Sequence, residues 1–326
     1  MEALALLPVN QNLILPQEQI ISSSKPFIEA NTISCSLEEI RDNHIIPTYR
    51  DNTRLIATSE FIDTTYEIVK KLFPNETILT PNIRVSHPVR GRIPEAKHKH
   101  VSELEDHETT IFFERTCFII EISSIRAEVA GNTLSLTVAG IKSYQKDNVN
   151  GKENSNEYFQ IAIGFLNKIC CNGNFWLDGY SNEVAVKSLS NLHALIHSLF
   201  EKYNSSYHLH QLRQLSEVQI SEQEFATILG KMKMYQYLPQ RMKNTIKPML
   251  LGDSQINSVV KQFYCDEYFR REPNGGINLW NLYNLITGSL KSCYIDSFLE
   301  KHVASFHLVE HLRFAKQNKS ESWYLA

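Results

Sequence analysis

The sequence predicts an α+β protein, in which an antiparallel, β-rich half with long hairpins is packed against a helical half. Two observations predict this class. Residues 111–145 and 158–180 are rich in β-branched and aromatic residues broken by turn residues, whereas from Ser188 onward the apolar residues recur with a helical period. Strands and helices that are segregated along a chain are typical of α+β folds, not of alternating βαβ units. We therefore expect an extended N-terminal tail (1–30), a β-rich α+β region (31–187) and a helical region (188–326) packed on it as one unit.

Two helices are predicted ahead of the strands. The first begins at Ser36, which has Glu39 three residues later and so forms the pattern of a capping box. The second covers 58–73, where apolar residues follow one helical face, and it ends at Pro74.

Two antiparallel hairpins are predicted in the middle of the chain. The first spans 111–145 and turns at Gly131–Asn132, since glycine and asparagine tolerate the backbone of a tight turn. The second pairs 158–171 with 174–180 and turns at Asn172–Gly173. An Asn-Gly dipeptide is the strongest short hairpin signal in a sequence.

The second half of the chain contains only helical patterns. A capping box, Ser221 with Glu224, opens one of these helices, and Asp253 begins another. The predicted helices cover residues 188–204, 221–238, 253–269, 277–290 and 294–316.

Composition limits the class of protein. The chain has 326 residues, 42% hydrophobic and 21% charged, with a formal net charge of −3, which is typical of a globular protein and excludes a histone-like basic one. No apolar run approaches the ~18 residues of a membrane span. Six cysteines without regular spacing predict free thiols in a reducing compartment, so we expect a cytoplasmic protein that does not engage a membrane.

Catalytic and metal-binding motifs are incomplete. In "HLVEH", His307 and His311 have the spacing of an inverted zinc-protease motif, but Glu321 is the only acid that follows. His98 and His100 could supply metal ligands from a loop that has no partner cysteines nearby. The sequence contains no nucleophile elbow, Walker loop or dinucleotide fingerprint. We therefore assign no catalytic residues, no metal and no cofactor, and a metal-dependent enzyme stays open as an alternative.

Phosphate binding has better support, from two stretches that we call the first basic window (residues 84–100) and the second basic window (residues 225–252). The first contains five Lys or Arg residues against one Glu, and the second contains five without any acid. Cations that follow phosphates, interleaved with aromatic rings on which bases stack, are what single-strand binding requires. The predicted nucleic-acid-binding residues are Arg84, Arg90, Arg92, Lys97, Lys99, Lys231, Lys233, Tyr235, Tyr237, Arg241, Lys243 and Lys247.

Several phrases of the sequence also occur together in a known family. They are "RVSHPVRGRIPEA", "FFERTCFIIEI", "LSLTVAGIKSY", "FQIAIGFLNKICCN", "DSQINSVVKQFY" and "INLWNLYNLITGSLKSCYIDSFLE". From about residue 25 to 326 the chain resembles an uncharacterised family of bacterial proteins common in mobile elements and prophages, described only as a domain of unknown function. More distantly, "AIGFLNKICCNGNF" followed by "WNLYNLIT" is similar to the phage/plasmid-like protein family. The resemblance implies a setting in which proteins handle DNA, and it implies no catalytic residues; for Cys170–Cys171–Asn172, at the family's strand-turn position, we expect a structural role.

These observations lead to one expectation and two alternatives. We expect a nucleic-acid-binding accessory protein of a mobile element or phage that binds single-stranded DNA and acts in recombination or annealing. The first alternative is a protein-interaction module, such as an inhibitor of a host defence enzyme, which would use an apolar face of the C-terminal helices formed by Leu279, Trp280, Leu282, Tyr283 and Ile286. The second alternative is a metal-dependent enzyme. Host or element proteins, or further copies of the chain, are compatible partners.

Overall fold

The computed structural model of the chain describes residues 26–44, 55–96, 98–147 and 156–326. In chain order its strands and helices are β1 (Ile33–Cys35), α1 (Leu37–Asn43), α2 (Thr58–Leu72), β2 (Asn82–Val85), β3 (Pro88–Arg92), β4 (Thr109–Phe113), β5 (Arg115–Val129), β6 (Asn132–Ser143), β7 (Glu157–Asn167), β8 (Gly173–Val186), α3 (Leu189–Lys202), α4 (Ser205–Ser216), β9 (Gln219–Ile220), α5 (Glu222–Tyr235), α6 (Gln240–Lys243), α7 (Asp253–Cys265), β10 (Ile277–Asn278), α8 (Leu279–Ser289) and α9 (Ile295–Asn318).

A six-stranded antiparallel sheet organises the fold, with strand order β1-β2-β5-β6-β7-β8. Two small two-stranded sheets, β3 with β4 and β9 with β10, lie outside it. The helices after β8 pack around the sheet and against one another. The predicted α+β class, β-rich first and helical second, is confirmed.

Helices cover both faces of the central sheet. Phe159 and Gln160 are successive residues of β7, so their side chains point to opposite faces. The ring centroid of Phe159 lies 4.9 Å from that of Phe61 in α2, whereas the Gln160 amide donates to the carbonyl of Asp296 in α9. Because both faces are covered, β6 is buried without interruption from Leu134 to Ser143 instead of alternating between buried and exposed residues.

The first hairpin turns one residue earlier than predicted. Val129 pairs with Asn132, so the two-residue turn is Ala130–Gly131 and not Gly131–Asn132. Both turn residues have positive φ, 47° and 76°, as a type I′ turn requires. The first predicted strand is also divided in two: residues 109–113 form β4, which pairs with β3, and β5 begins only at Arg115.

The second hairpin does not turn at Asn172–Gly173. Gly173 is already the first residue of β8 and pairs with Leu166, so the connection is the longer segment 168–172. Cys171 carries the left-handed backbone conformation there, with φ 56°. Cys171 and Asn172 are both buried, and the Asn172 amide donates to the carbonyl of Asn284 at 2.9 Å.

The predicted helix boundaries largely hold. Both capping boxes are present, with Ser36 capping α1 and Ser221 capping α5. Two helices were missed: α4, which is capped by Asn204, and the single-turn helix α6. Of the predicted N-terminal tail, residues 1–25 lie outside the described part of the chain, while Phe27 and Ile28 are buried in the core.

Candidate nucleic-acid interface

The first basic window lies on β2, on β3 and on the turns that follow β3. Arg84 is half-buried on β2, where its Nε donates to Thr32 Oγ1 at 3.1 Å and its Nη2 donates to the Thr32 carbonyl at 2.7 Å. Burial lowers the pKa of the Arg84 guanidinium. This side chain therefore holds β2 against the residues before β1.

The other described cations of this window are also engaged within the chain. The Arg92 guanidinium donates to the carbonyl of Lys99, and the Lys99 ammonium pairs with Glu108. The hydrogen bond to Glu108 raises the pKa of Lys99. Lys97 and the side chain of Arg90 lie outside what the structure describes. A phosphate that bound Arg92 or Lys99 would have to compete with these partners.

The second basic window presents its cations differently. Lys231 and Lys233 lie on α5, Arg241 and Lys243 on α6, and Lys247 in the loop before α7. Lys233, Arg241 and Lys247 are exposed. Within the described ranges, none of the five cations forms an ion pair, and Lys243 donates only to the carbonyl of Gln236, at 2.9 Å.

The two tyrosines of this window have opposite environments. Tyr237 is 81% exposed, so its ring is available to a ligand. Tyr235 is 8% exposed, and its ring meets that of Trp323 edge-on with centroids 6.4 Å apart. Lys243 also lies over Tyr235, 5.5 Å from the ring centroid. Tyr235, predicted as a base-stacking residue, is therefore part of the core in this structure.

A C-terminal segment, residues 322–324, joins this window to α9. The Tyr324 hydroxyl donates to the carbonyl of Lys247 at 2.7 Å, and Ser322 Oγ lies 3.0 Å from His311 Nε2. Lys231 Nζ lies 5.0 Å from the centre of the Trp323 ring, which is partly exposed. Trp323 is not among the predicted residues, because nothing local to "SESWYLA" indicates contact with α5.

Within the described residues, the histidines considered as metal ligands do not form part of a larger set of ligands. His98 and His100 are exposed, and His100 Nδ1 is hydrogen-bonded to Ser102 Oγ at 2.7 Å. His307 and His311 are half-buried on α9, where burial and the charge of Lys247 lower the pKa of both. Across the described ranges, no group of three or more His, Cys, Asp or Glu side chains is placed to hold a metal.

A buried ionic cluster is formed by Lys142 of β6, Glu157 of β7 and Asp147 of the segment that follows β6. The Lys142 ammonium is 2.7 Å from Asp147 Oδ2 and 3.0 Å from Glu157 Oε2, and these side chains are 0%, 0% and 7% exposed. Glu157 also accepts the amide of Ile56 with both oxygens at 3.0 Å. Burial raises the pKa of both carboxyls, and Lys142 opposes this shift. The cluster is closed to ligands, so we assign it a structural role; its one sequence signal is a lysine inside an apolar strand.

The apolar helical face proposed for a protein partner is not at the surface. The five side chains form the centre of the helical half and are each fully buried: Leu279, Trp280, Leu282, Tyr283 and Ile286. Their hydrophobicity reflects core packing around α8, so this form of the interaction hypothesis is wrong.

No helix in the described part of the chain has both the length and the apolar character to cross a bilayer.

Comparison with known proteins identifies a family. The family described as "Domain of unknown function, B. Theta Gene description (DUF3871)" matches residues 9–325. Neither the curated proteins nor the solved structures gave a match.

Proposed function

Because the chain belongs to this family of unknown function, over nearly its whole length, we propose a function from the surface itself: the protein binds nucleic acid, preferring single-stranded DNA, through the second basic window. The observation that supports the proposal is an acid-free stretch whose five cations form no ion pair within the described residues. In a chain with net charge −3, so many uncompensated cations in one stretch create a local positive field.

The chemistry of these side chains suits a phosphate backbone. Lys233, Arg241 and Lys247 are exposed and can each approach a phosphate without breaking an ion pair. Tyr237, 81% exposed, supplies a ring on which a base can stack, a contact worth about 1–3 kcal/mol per base. Paired bases in a duplex are already stacked, so this contact favours the single strand.

The first basic window has a secondary role in this proposal. Thr32 already occupies two donor atoms of Arg84, and the charge of Lys99 is offset by Glu108, so both side chains are less available to a phosphate. The resemblance to proteins of mobile elements and phages supports a setting in recombination or strand annealing for the proposed binding.

The test is fluorescence-anisotropy titration of a labelled oligo-dT strand, and of a duplex, at several salt concentrations. The variant Lys233→Glu/Arg241→Glu/Lys247→Glu removes three exposed cations of the window. Each phosphate contact to a single strand contributes about 0.7 to the steepness with which the logarithm of the association constant falls with the logarithm of salt concentration. Loss of three contacts should therefore make this slope shallower by about 2.

The matched control reverses three exposed lysines elsewhere, Lys71→Glu/Lys202→Glu/Lys261→Glu, and so changes net charge equally. We expect the control to keep most of its affinity and its full salt slope. Equal losses in both variants would show that only net charge matters, and an absence of wild-type binding at low salt would refute the proposal.

A further inference from the structure

We infer that His307 and His311 of α9 belong to the same phosphate-binding surface and take up protons when a phosphate binds, so that affinity rises as pH falls. The inference rests on the proposed function and adds to it a second element of the surface and a coupling to protons. It gives the "HLVEH" motif a role other than metal binding.

The geometry places these histidines beside the second basic window. They are one helical turn apart, so both lie on one side of α9, and both are partly exposed. Ser322 Oγ lies 3.0 Å from His311 Nε2, while the Tyr324 hydroxyl binds the Lys247 carbonyl at 2.7 Å. Residues 322–324 thus fix Lys247 next to this side of α9.

Lys247 is the charged group that acts on both rings. Together with burial, it lowers the pKa of His307 and His311, so both are mainly neutral at neutral pH in the free protein. From the C-terminal segment, the neutral hydroxyl group of Ser322 meets the His311 ring, while the Tyr324 hydroxyl binds the Lys247 carbonyl. On α9 itself, the nearby carboxylate of Glu310 is held by Arg313 at 2.8 Å.

A bound phosphate reverses the electrostatic balance. Its negative charge offsets that of Lys247 and stabilises an imidazolium, which raises the pKa of each histidine in the complex. His311 can keep its contact with Ser322 in either state, because a protonated Nε2 donates to the hydroxyl. Binding is therefore linked to proton uptake. The gain in affinity is absent above the pKa of the complex and complete below the pKa of the free protein.

The size of the effect follows from the linkage. A rise of one pKa unit in one histidine corresponds to a tenfold gain in affinity once the pH has fallen below the free value. We expect the dissociation constant for oligo-dT to fall between pH 8.0 and 5.5 at constant ionic strength, by up to about tenfold for each histidine whose pKa rises by one unit. Thymine and the phosphodiester have no group that titrates in that interval, so the protons are taken up by the protein.

The experiment compares three proteins over this pH range: wild type, His307→Gln/His311→Gln, and the control His193→Gln/His197→Gln. The control pair has the same spacing on α3, where it is remote from the basic window in sequence. We expect the α9 variant to lose the gain in affinity between pH 8.0 and 5.5, whatever its affinity at pH 8.0, whereas the control keeps the gain. Circular dichroism establishes that each variant is folded.

The outcomes separate this inference from the proposed function. Wild-type binding that does not depend on pH, or a dependence that survives His307→Gln/His311→Gln, overturns the inference and leaves nucleic-acid binding intact. No wild-type binding at any pH overturns both. A second measurement needs no variant in the binding assay: NMR titration of the histidine ring protons, with and without oligo-dT, should show both pKa values rising in the complex, and unchanged values would refute proton uptake.

Discussion

Substitution Lys142→Met tests how strongly the buried ionic cluster stabilises the fold. Methionine keeps an unbranched apolar side chain of nearly the same length but removes the ammonium that lies 2.7 Å from Asp147 and 3.0 Å from Glu157. Two carboxylates would then be buried without a counter-charge, at side-chain exposures of 0% and 7%. Removing one partner of a buried ion pair costs about 3–5 kcal/mol, and we expect a loss within that range at pH 7.

Burial is what makes this value large, and a second ion pair, between β5 and the connection that follows β7, provides the control. Lys168 pairs with Glu121, but its side chain is 38% exposed, so solvent screens the interaction. Lys168→Met should cost at most about 1 kcal/mol. The assay is urea denaturation followed by circular dichroism, with the free energy of unfolding extrapolated to water.

The pH dependence of Lys142→Met has a definite sign. Burial already raises the pKa of Asp147 and Glu157, and loss of the lysine raises both further. A carboxyl with a raised folded-state pKa stabilises the fold at low pH and loses this contribution as pH rises through that pKa. The difference in unfolding free energy between wild type and variant should thus be largest at neutral pH and shrink toward pH 5. An effect that equals that of Lys168→Met, or that grows on acidification, would refute the reasoning.

Three further substitutions test local features of the fold by thermal or urea denaturation. Gly164→Ala should destabilise the fold by about 1–3 kcal/mol, because a Cβ would lie 2.1 Å from the backbone carbonyl oxygen of Asn174 across the β7–β8 pair. Gly230→Ala should stabilise it by about 1 kcal/mol, because a Cβ at this exposed helical position meets nothing within 4 Å. Changes of the same sign in the free energy of unfolding of the two variants would contradict this. Ala130→Asn should stabilise by up to about 1 kcal/mol, since asparagine tolerates φ 47° better than alanine does, and a loss would argue against the assigned turn. Ser221→Ala should cost about 1 kcal/mol by removing the cap of α5, and Ser221→Thr should restore most of it if capping is the cause.

Local signals in the sequence were sufficient where the structure depends on neighbouring residues. Ser36 with Glu39 and Ser221 with Glu224 predicted where α1 and α5 begin, because a capping box is completed within four residues. The helix α4 was missed since polar side chains, His208 and Gln211, occupy buried positions and hide its apolar period. Burial of such groups is decided by tertiary partners that a local pattern does not contain.

The candidate site shows the same limit. The charge pattern of the sequence predicts the second basic window, but it does not distinguish Tyr235 from Tyr237. One is buried and the other is 81% exposed, because Trp323 packs against Tyr235 from the distant end of the chain. In the first window, the partner of Lys99 is Glu108, an acid just outside the window that a count restricted to 84–100 omits.

The position of α9 in the chain has a consequence for biosynthesis. This helix packs on β5, β6, β7 and β8, yet it is translated after all of them. Until residue 318 has left the ribosome, a nascent chain exposes the part of the sheet surface that α9 covers in the folded protein. Exposed apolar sheet surface promotes aggregation, so the growing chain depends on late docking of a single helix or on protection by chaperones. Shortened forms that end before α9 should accordingly accumulate as inclusion bodies, whatever the chain binds.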